Sequence, residues 1–324
     1  MKKTLILAFA LTILTAFSGK TLLAQTKEDA GNAFNAALEL SKTDMAGAVT
    51  KMQEVIKMCA AVGTDADTLK MKCTTVIPVW QYNVGNNFLK VKKYDQAIIA
   101  FEKSNEFAMA YSDINIKEKS QSILSKLYVN DGNNLMKTQK YDDAIIYFEK
   151  ALKFDPEYSK AYYANALAYK KKGDNVKMQE NMDRAIASAT KENDTVTVNA
   201  AKNAVASSLY QEGTVAFKKK AYGEAAEKLN SSLAYDKNNK EVYYLLAVSN
   251  NNLKKYDESV VAADMGITLE EQTSIKLARF YYEIAKAYEG KQDSQNACAN
   301  YKKAAVGTFK ASADYQMKTV LKCQ

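Results

Sequence analysis

Residues 125–158, SKLYVNDGNNLMKTQKYDDAIIYFEKALKFDPEY, decide the fold. They read as one helical hairpin, with residues 137–140 making the turn. Gly132, Ala144 and Ala151 are small enough to let two helices approach closely, while Tyr128, Leu135, Tyr141 and Phe148 supply the bulk that fills the space between them. Pro156 follows Asp155 just past the second helix, where a residue without an N–H cannot continue the ladder and the chain must start again.

The stretch is 34 residues long. It has an aromatic at the fourth place, glycine at the eighth, alanine at the twentieth and twenty-seventh, an aromatic at the twenty-fourth and proline at the thirty-second. In this it resembles the tetratricopeptide repeat. It departs from that pattern at the seventh place, where Asp131 stands for a large apolar residue. The text starting at Val79, VWQYNVGNNFLKVKKYDQAIIAFEKS, shares GNN, KYD, AII and FEK with it. Seventeenth-place residues run Tyr94, Tyr141, Asn175, Tyr222, Tyr256 and Ser294, separated by 47, 34, 47, 34 and 38 residues. The longer steps carry 13 extra residues, which predict extended hairpins near 60–77, 107–124 and 188–205. Shared between two arms, such an insertion would lengthen each helix by about 10 Å. Pro78 falls inside the first of them, as a kink or a helix start.

The resemblance covers 78–311 as about six repeats. It is preceded by a degenerate hairpin at 25–77 and followed by a capping helix at 312–324, which starts near Lys310 and turns Met317, Val320 and Leu321 inward. What it implies is an all-α fold, a right-handed superhelical solenoid of antiparallel helix pairs with some hairpins extended. Composition agrees with an array that buries apolar area between neighbours: 47% hydrophobic residues with two prolines and twelve glycines in 324 residues. The formal net charge is +8, but lysines and acids interleave along the chain as they do on solvated helix faces. No basic stripe points to nucleic acid.

The chain opens MKKTLILAFALTILTAFSGKTLLAQ, two lysines before an apolar run at 5–17. This reads as a secretory signal peptide over 1–24, cleaved after Ala24 or after Ser18, and it predicts a protein exported to the periplasm or beyond. No later stretch reaches the roughly 18 to 20 apolar residues that a membrane span needs. In an oxidising compartment the four cysteines become disulfide candidates, Cys59 with Cys73 and Cys298 with Cys323. Cys298 occupies the twenty-first place of its repeat, which should face the capping helix.

Chemistry is sparse. The chain has no histidine, which removes the usual general base and the commonest metal ligand together. Asp142, Asp143, Glu270 and Glu271 lie where helices start or turn, a placement the helix dipole accounts for. Asp65 and Asp67 lack the glycine and terminal glutamate of a calcium loop. No cofactor, metal or catalytic residue is expected.

What the resemblance implies instead is a non-catalytic scaffold that holds a protein or peptide in a concave groove lined by the first helix of each pair. The fifth places read Tyr82, Val129, Tyr163, Tyr210, Tyr244 and Tyr282, and the thirteenth places Lys90, Lys137, Lys171 and Lys218 before Asn252 and Gly290. Asn86 and Asn133 stand between them. Tyrosines flanked by lysines and amides suit an extended or helical segment bearing acidic groups, offered by another envelope protein. The same tyrosines are equally suited to packing between helices. Asn86, Asn130 and Lys160 match places of the family's peptide-carboxylate clamp, but Tyr82 and Ala164 replace its basic groups. Two other readings stay open: a structural spacer of an envelope assembly, and a carbohydrate-related accessory or enzyme using the edge along which the extended hairpins would stand out as ridges.

Overall fold

The computed structural model describes residues 26–323; the expected signal peptide lies outside them. The described residues are all-α, with no strand. Two compact units meet at Gln121 and Ser122. The first contains α1 (Lys27–Leu40), α2 (Met45–Val62), α3 (Asp67–Lys90) and α4 (Tyr94–Ala110). The boundary falls within α5 (Ile114–Lys137). The second unit continues with α6 (Tyr141–Phe154), α7 (Ser159–Lys172), α8 (Asn175–Lys191), α9 (Thr195–Lys218) and α10 (Tyr222–Leu233). Then come α11 (Lys240–Asn252), α12 (Tyr256–Leu269), α13 (Ser274–Gly290), α14 (Ser294–Ala304) and α15 (Lys310–Tyr315).

The small and bulky places of the sequence pattern meet as expected. A Cβ added to Gly85 would come within 2.8 Å of the Phe101 ring, and one added to Gly213 within 2.8 Å of Leu229. Gly132 has the Phe148 ring in the same position. The eighth-place glycine is therefore a socket for the twenty-fourth-place side chain. In the fifth pair both places are alanine, Ala247 and Ala263; there Gly266 instead receives Phe280 from the next helix. Since each socket lies between adjacent helices, apolar area is buried locally along the array.

Each pair turns in the same way. The fifteenth-place residue has positive φ in all six pairs: Lys92, Gln139, Lys220, Lys254 and Gln292 at 58° to 62°, and Gly173 at 80°. The next N–H then donates back to the eleventh-place carbonyl, as Ala221 N to Phe217's neighbour Ala216 O at 3.0 Å and Lys255 N to Asn250 O at 2.8 Å. This closes the helix end with a bond across six residues, the geometry that favours glycine. A side chain there costs roughly 1–2 kcal/mol, and glycine's extra unfolded-chain freedom returns about half of that. Lys220→Gly is accordingly expected to stabilise the second unit by about 0.5–1 kcal/mol in urea unfolding; no gain would mean that the lysine makes a compensating contact.

The insertions enter the hairpins unequally. Helices α3, α5 and α9 each have 24 residues, against 14 in α7 and 13 in α11. The preceding α8 has 17, against 14 in α12. Most of each insertion thus lengthens the first helix of the following pair rather than both arms alike. Pro78 is neither start nor end: it lies buried inside α3, where its carbonyl accepts from the Ser104 hydroxyl at 3.0 Å.

In the first unit Cys59 and Cys73 share an apolar cluster with Val49, Met52, Val55 and Ile77. The second bridge is not formed there: both are buried free thiols. Burial raises both thiol pKa values, that of Cys73 to about 11 with help from the neighbouring Cys59, so the thiolate needed for oxidation is disfavoured. In the second unit Cys298 and Cys323 do form a disulfide. It ties the end of the chain to α14, and Met317 and Leu321 pack on the cluster of Ala285, Ala297, Tyr301, Ala304 and Ala313. Val320, expected to cover that cluster, is exposed, because the chain winds as a π-helical turn over Gln316–Val320 and shifts the register of its faces.

Candidate functional site

The fifth-place tyrosines are half-buried, each leaning on the packing layer beneath it. In the first unit Tyr82 meets Phe101 edge to face, with ring centroids 5.3 Å apart. In the second, Tyr163 packs against the cluster built on Met178 and Met182, and Tyr210 against the one built on Leu229 and Leu246. Tyr244 meets Phe280 at 5.8 Å with the Arg279 guanidinium 5.0 Å from its ring centre. Burial, then the nearby Glu283 carboxylate, pushes its hydroxyl pKa up. Tyr282 meets Tyr301 at 5.4 Å and Phe309 at 5.1 Å. These rings present one edge outward and spend the rest on packing.

The lysines are placed differently. Lys90, Lys137, Lys171 and Lys218 are exposed and occupy the last turns of α3, α5, α7 and α9, where a cation also complements the helix dipole. Asn86 is half-buried and Asn133 exposed.

At the far end of the second unit the fifth, ninth, twelfth and thirteenth places come together around a pocket of about 390 Å³. Tyr282, Lys286 and Glu289 of α13 line it with Asn251 and Asn252 of α11, and Tyr256 and Tyr301 complete the wall. Here the thirteenth-place lysines have stopped. Gly290 stands in their register because the Tyr256 ring lies where its Cβ would be. Beneath the pocket, Asn251 Nδ2 donates to the buried Glu283 carboxylate at 2.8 Å and to its backbone carbonyl at 2.9 Å. Lys286 Nζ reaches the same carboxylate at 3.3 Å. Tyr301 donates its hydroxyl to Glu289 at 2.5 Å. Burial and that carboxylate hold the Tyr301 pKa far above the ordinary phenol value, so it remains a donor. Gln316, from the segment fixed by the disulfide, closes the pocket.

Of the residues singled out by sequence, the structure brings Tyr282, Asn252, Tyr256 and Gly290 to this pocket, whereas Tyr244 packs on Phe280 outside it. Asn251, Lys286, Glu289 and Gln316 were not anticipated. The first three stand at the ninth and twelfth places of the last two pairs, where the lysine series breaks off; Gln316 lies beyond the repeats and carries no repeat signal. Glu270, read from sequence as a helix-end acid, is instead buried between Lys240 at 2.6 Å and Arg279 at 2.8 Å. Among the described residues no cluster of three or more metal-ligating side chains occurs, and no helix is long and apolar enough to cross a membrane.

No curated protein matches the chain. Among solved structures, it is similar to YrrB, described as a tetratricopeptide protein with an unusual peptide-binding site, at 19% identity and a TM-score of 0.32, covering 60% of this chain and 88% of that one. It is similar to MamA from Desulfovibrio magneticus at 17% and 0.32, covering 59% and 97%. A tetratricopeptide repeat protein from Parabacteroides merdae is similar at 14% and 0.30, covering 92% and 100%. Family models described as "Tetratricopeptide repeat" match residues 126–158 and 278–305. The chain therefore carries tetratricopeptide repeats in those two stretches, one at the hairpin quoted first and one at the pair that lines the pocket.

Proposed function

We propose that this chain is a non-catalytic scaffold of the cell envelope, exported by its N-terminal segment, that holds a segment of another protein along the groove-facing places of its first helices. The observation that carries this reading is the pocket in which Asn252, Tyr282 and Lys286 converge from those places. The exposed lysines at Lys137, Lys171 and Lys218 give the same face in the second unit a positive edge that suits acidic groups on the partner.

The tyrosines are poor probes, since replacing a half-buried ring disturbs the packing below it. The lysines are better ones. The partner is first identified by in-cell crosslinking and mass spectrometry in the native host. Replacing Lys137, Lys171 and Lys218 together by glutamine is then expected to weaken its binding at least tenfold, worth about 1.4 kcal/mol. The midpoint of thermal unfolding should move little, because each exposed lysine contributes only about 0.3–1 kcal/mol to its helix end. Unchanged affinity, or crosslinks confined to the opposite faces of the repeats, would overturn the groove reading.

A further inference from the structure

A larger pocket of the second unit, of about 580 Å³, lies between α10 and α12 over α11. Its walls are apolar: Ala226 and Leu233 of α10, Leu246 and Leu253 of α11, and Ala262 of α12. Val261 and Met265, one turn apart on α12, line it while 64% and 43% exposed. Neither Tyr244 nor Asn252, the fifth and thirteenth places of α11, takes part. One lining residue breaks the apolar pattern. The eleventh places of the six pairs read Phe88, Leu135, Tyr169, Ala216, Asn250 and Tyr288, so the fifth pair alone puts an amide where the others put a packing side chain. Asn250 is only 7% exposed. Its backbone carbonyl closes the turn by accepting from Lys255 N at 2.8 Å, but among the described residues its side chain has no hydrogen-bond partner. The unpartnered oxygen of Asn251 is sealed from solvent; the Asn250 amide is not, and Asn250 lines the pocket. A nearly buried polar group without a partner is costly, and a partner can reach this one only through the pocket.

A carboxamide presents N–H beside C=O, the same pair that a peptide unit presents. An α-helix has already spent these groups along its own axis, and a lipid chain has none; an extended segment brings both free. Charge adds a second constraint. Glu227 of α10 and Glu258 of α12 line the pocket as exposed carboxylates without a salt bridge among the described residues. Asp257 is answered by Lys291 at 2.6 Å, and Lys255 is the one cation in the lining. A basic residue on the ligand completes this set; an acidic one would be repelled by it. We infer that this pocket binds an extended segment of a partner protein. An aliphatic side chain of that segment sits against Leu246 and Val261, the adjoining peptide unit pairs with the Asn250 amide, and a neighbouring lysine or arginine faces Glu227 and Glu258. This is a second site, independent of the groove reading: it is built on α10 and α12, the second helices of their pairs, and prefers the opposite charge.

The test selects random heptapeptides displayed on phage against the oxidised mature chain, with the double variant Asn250→Leu, Val261→Glu as counter-selection. Enrichment of an aliphatic residue beside lysine or arginine is expected. The enriched sequence is then made as a capped peptide and titrated by calorimetry, next to one relative methylated at the peptide nitrogens flanking the aliphatic residue and another with glutamate for the basic residue. Each relative should bind at least about tenfold more weakly. In Asn250→Leu the methylated and unmethylated peptides should come within about threefold of each other. Leucine already holds the eleventh place of the second pair as Leu135, so this variant is expected to fold, with a urea midpoint no lower than wild type. Glu227→Gln with Glu258→Gln should bring the basic-over-acidic preference below about threefold, while glutamine at Lys137, Lys171 and Lys218 should leave binding within about twofold. No enrichment over the counter-selection, or enrichment of acidic sequences, would overturn the site. So would equal binding of the methylated peptide, which would leave Asn250 serving an internal water only. A lower urea midpoint for Asn250→Leu would also overturn it, since the amide would then have a partner within the protein. None of these failures touches the groove reading, whose crosslinks map to other faces.

Discussion

Phe148→Ala is expected to destabilise the second unit by about 3–5 kcal/mol. The ring has no exposed surface, and it sits against Gly132, which has no side chain with which to refill the space. Relief can come only from α5 and α6 moving together, and that closure is resisted by Ala144, Ile145 and Ala151, which are buried beside Phe148 on α6. Urea unfolding should show the loss as a lower midpoint at unchanged slope. Hydrogen exchange should locate it in α6 and α7 before α12 to α14, since repeats lean on their neighbours. The socket geometry makes a stronger claim. Gly132→Ala alone should destabilise, because the new methyl overlaps the Phe148 ring. In the Phe148→Ala background the same change should stabilise, filling part of the cavity and adding about 1 kcal/mol of helix propensity. A double-mutant cycle with additive effects would show that glycine and ring are not matched.

That socket was legible in the sequence because glycine eight places into a repeat and an aromatic twenty-four places in are both unusual where they stand, and each explains the other. Other features are not written in residue type. The fifteenth-place turn takes a left-handed residue in every pair, yet five of the six are lysine or glutamine, so nothing but the turn's length predicts it. Thirteen inserted residues can be counted, but their division between arms depends on where the chain can turn, which here falls at Ser112 and Asn193, both of positive φ and neither glycine. At the site, Tyr282 was found because tyrosine recurs at one place of the repeat. Periodicity could not say that such a ring is shared between groove and core, as Tyr82 is by Phe101 and Tyr282 by Tyr301. Nor could it supply Gln316, which reaches the pocket only because a residue after the last repeat is tied back by Cys323.

Arg279→Ala is expected to cost about 3 kcal/mol at neutral pH, and the cost should shrink in acid. Arg279 bridges two pairs, giving both carboxylate oxygens of Glu241 bonds of 2.7 Å and Glu270 one of 2.8 Å, while its guanidinium lies 4.7 Å from the Phe280 ring centre. The two arms differ in weight. The Glu241 side chain is 45% exposed and that of Glu270 only 4%. Solvent weakens the first, so Glu241→Ala should cost below about 1 kcal/mol. Losing Arg279 leaves Glu270 buried with Lys240 alone, and the uncompensated charge carries most of the expected loss. Burial by itself would raise the Glu270 pKa; bonds from Lys240, the Glu271 N–H and Arg279 outweigh it and hold the carboxyl below its ordinary 4.5. A depressed carboxyl contributes stability above its unfolded pKa and loses it as pH falls through the folded value. Wild type should therefore weaken as pH drops below about 4.5. In the variant Glu270 is released from one of its three bonds and protonates more readily, so the gap between the two proteins should narrow over that range. Arg279→Lys should recover only part of the loss, because one ammonium cannot serve two carboxylates at once. A gap that stays constant from neutral pH into acid would show that Arg279 acts through packing on Phe280 and not through the buried charge of Glu270.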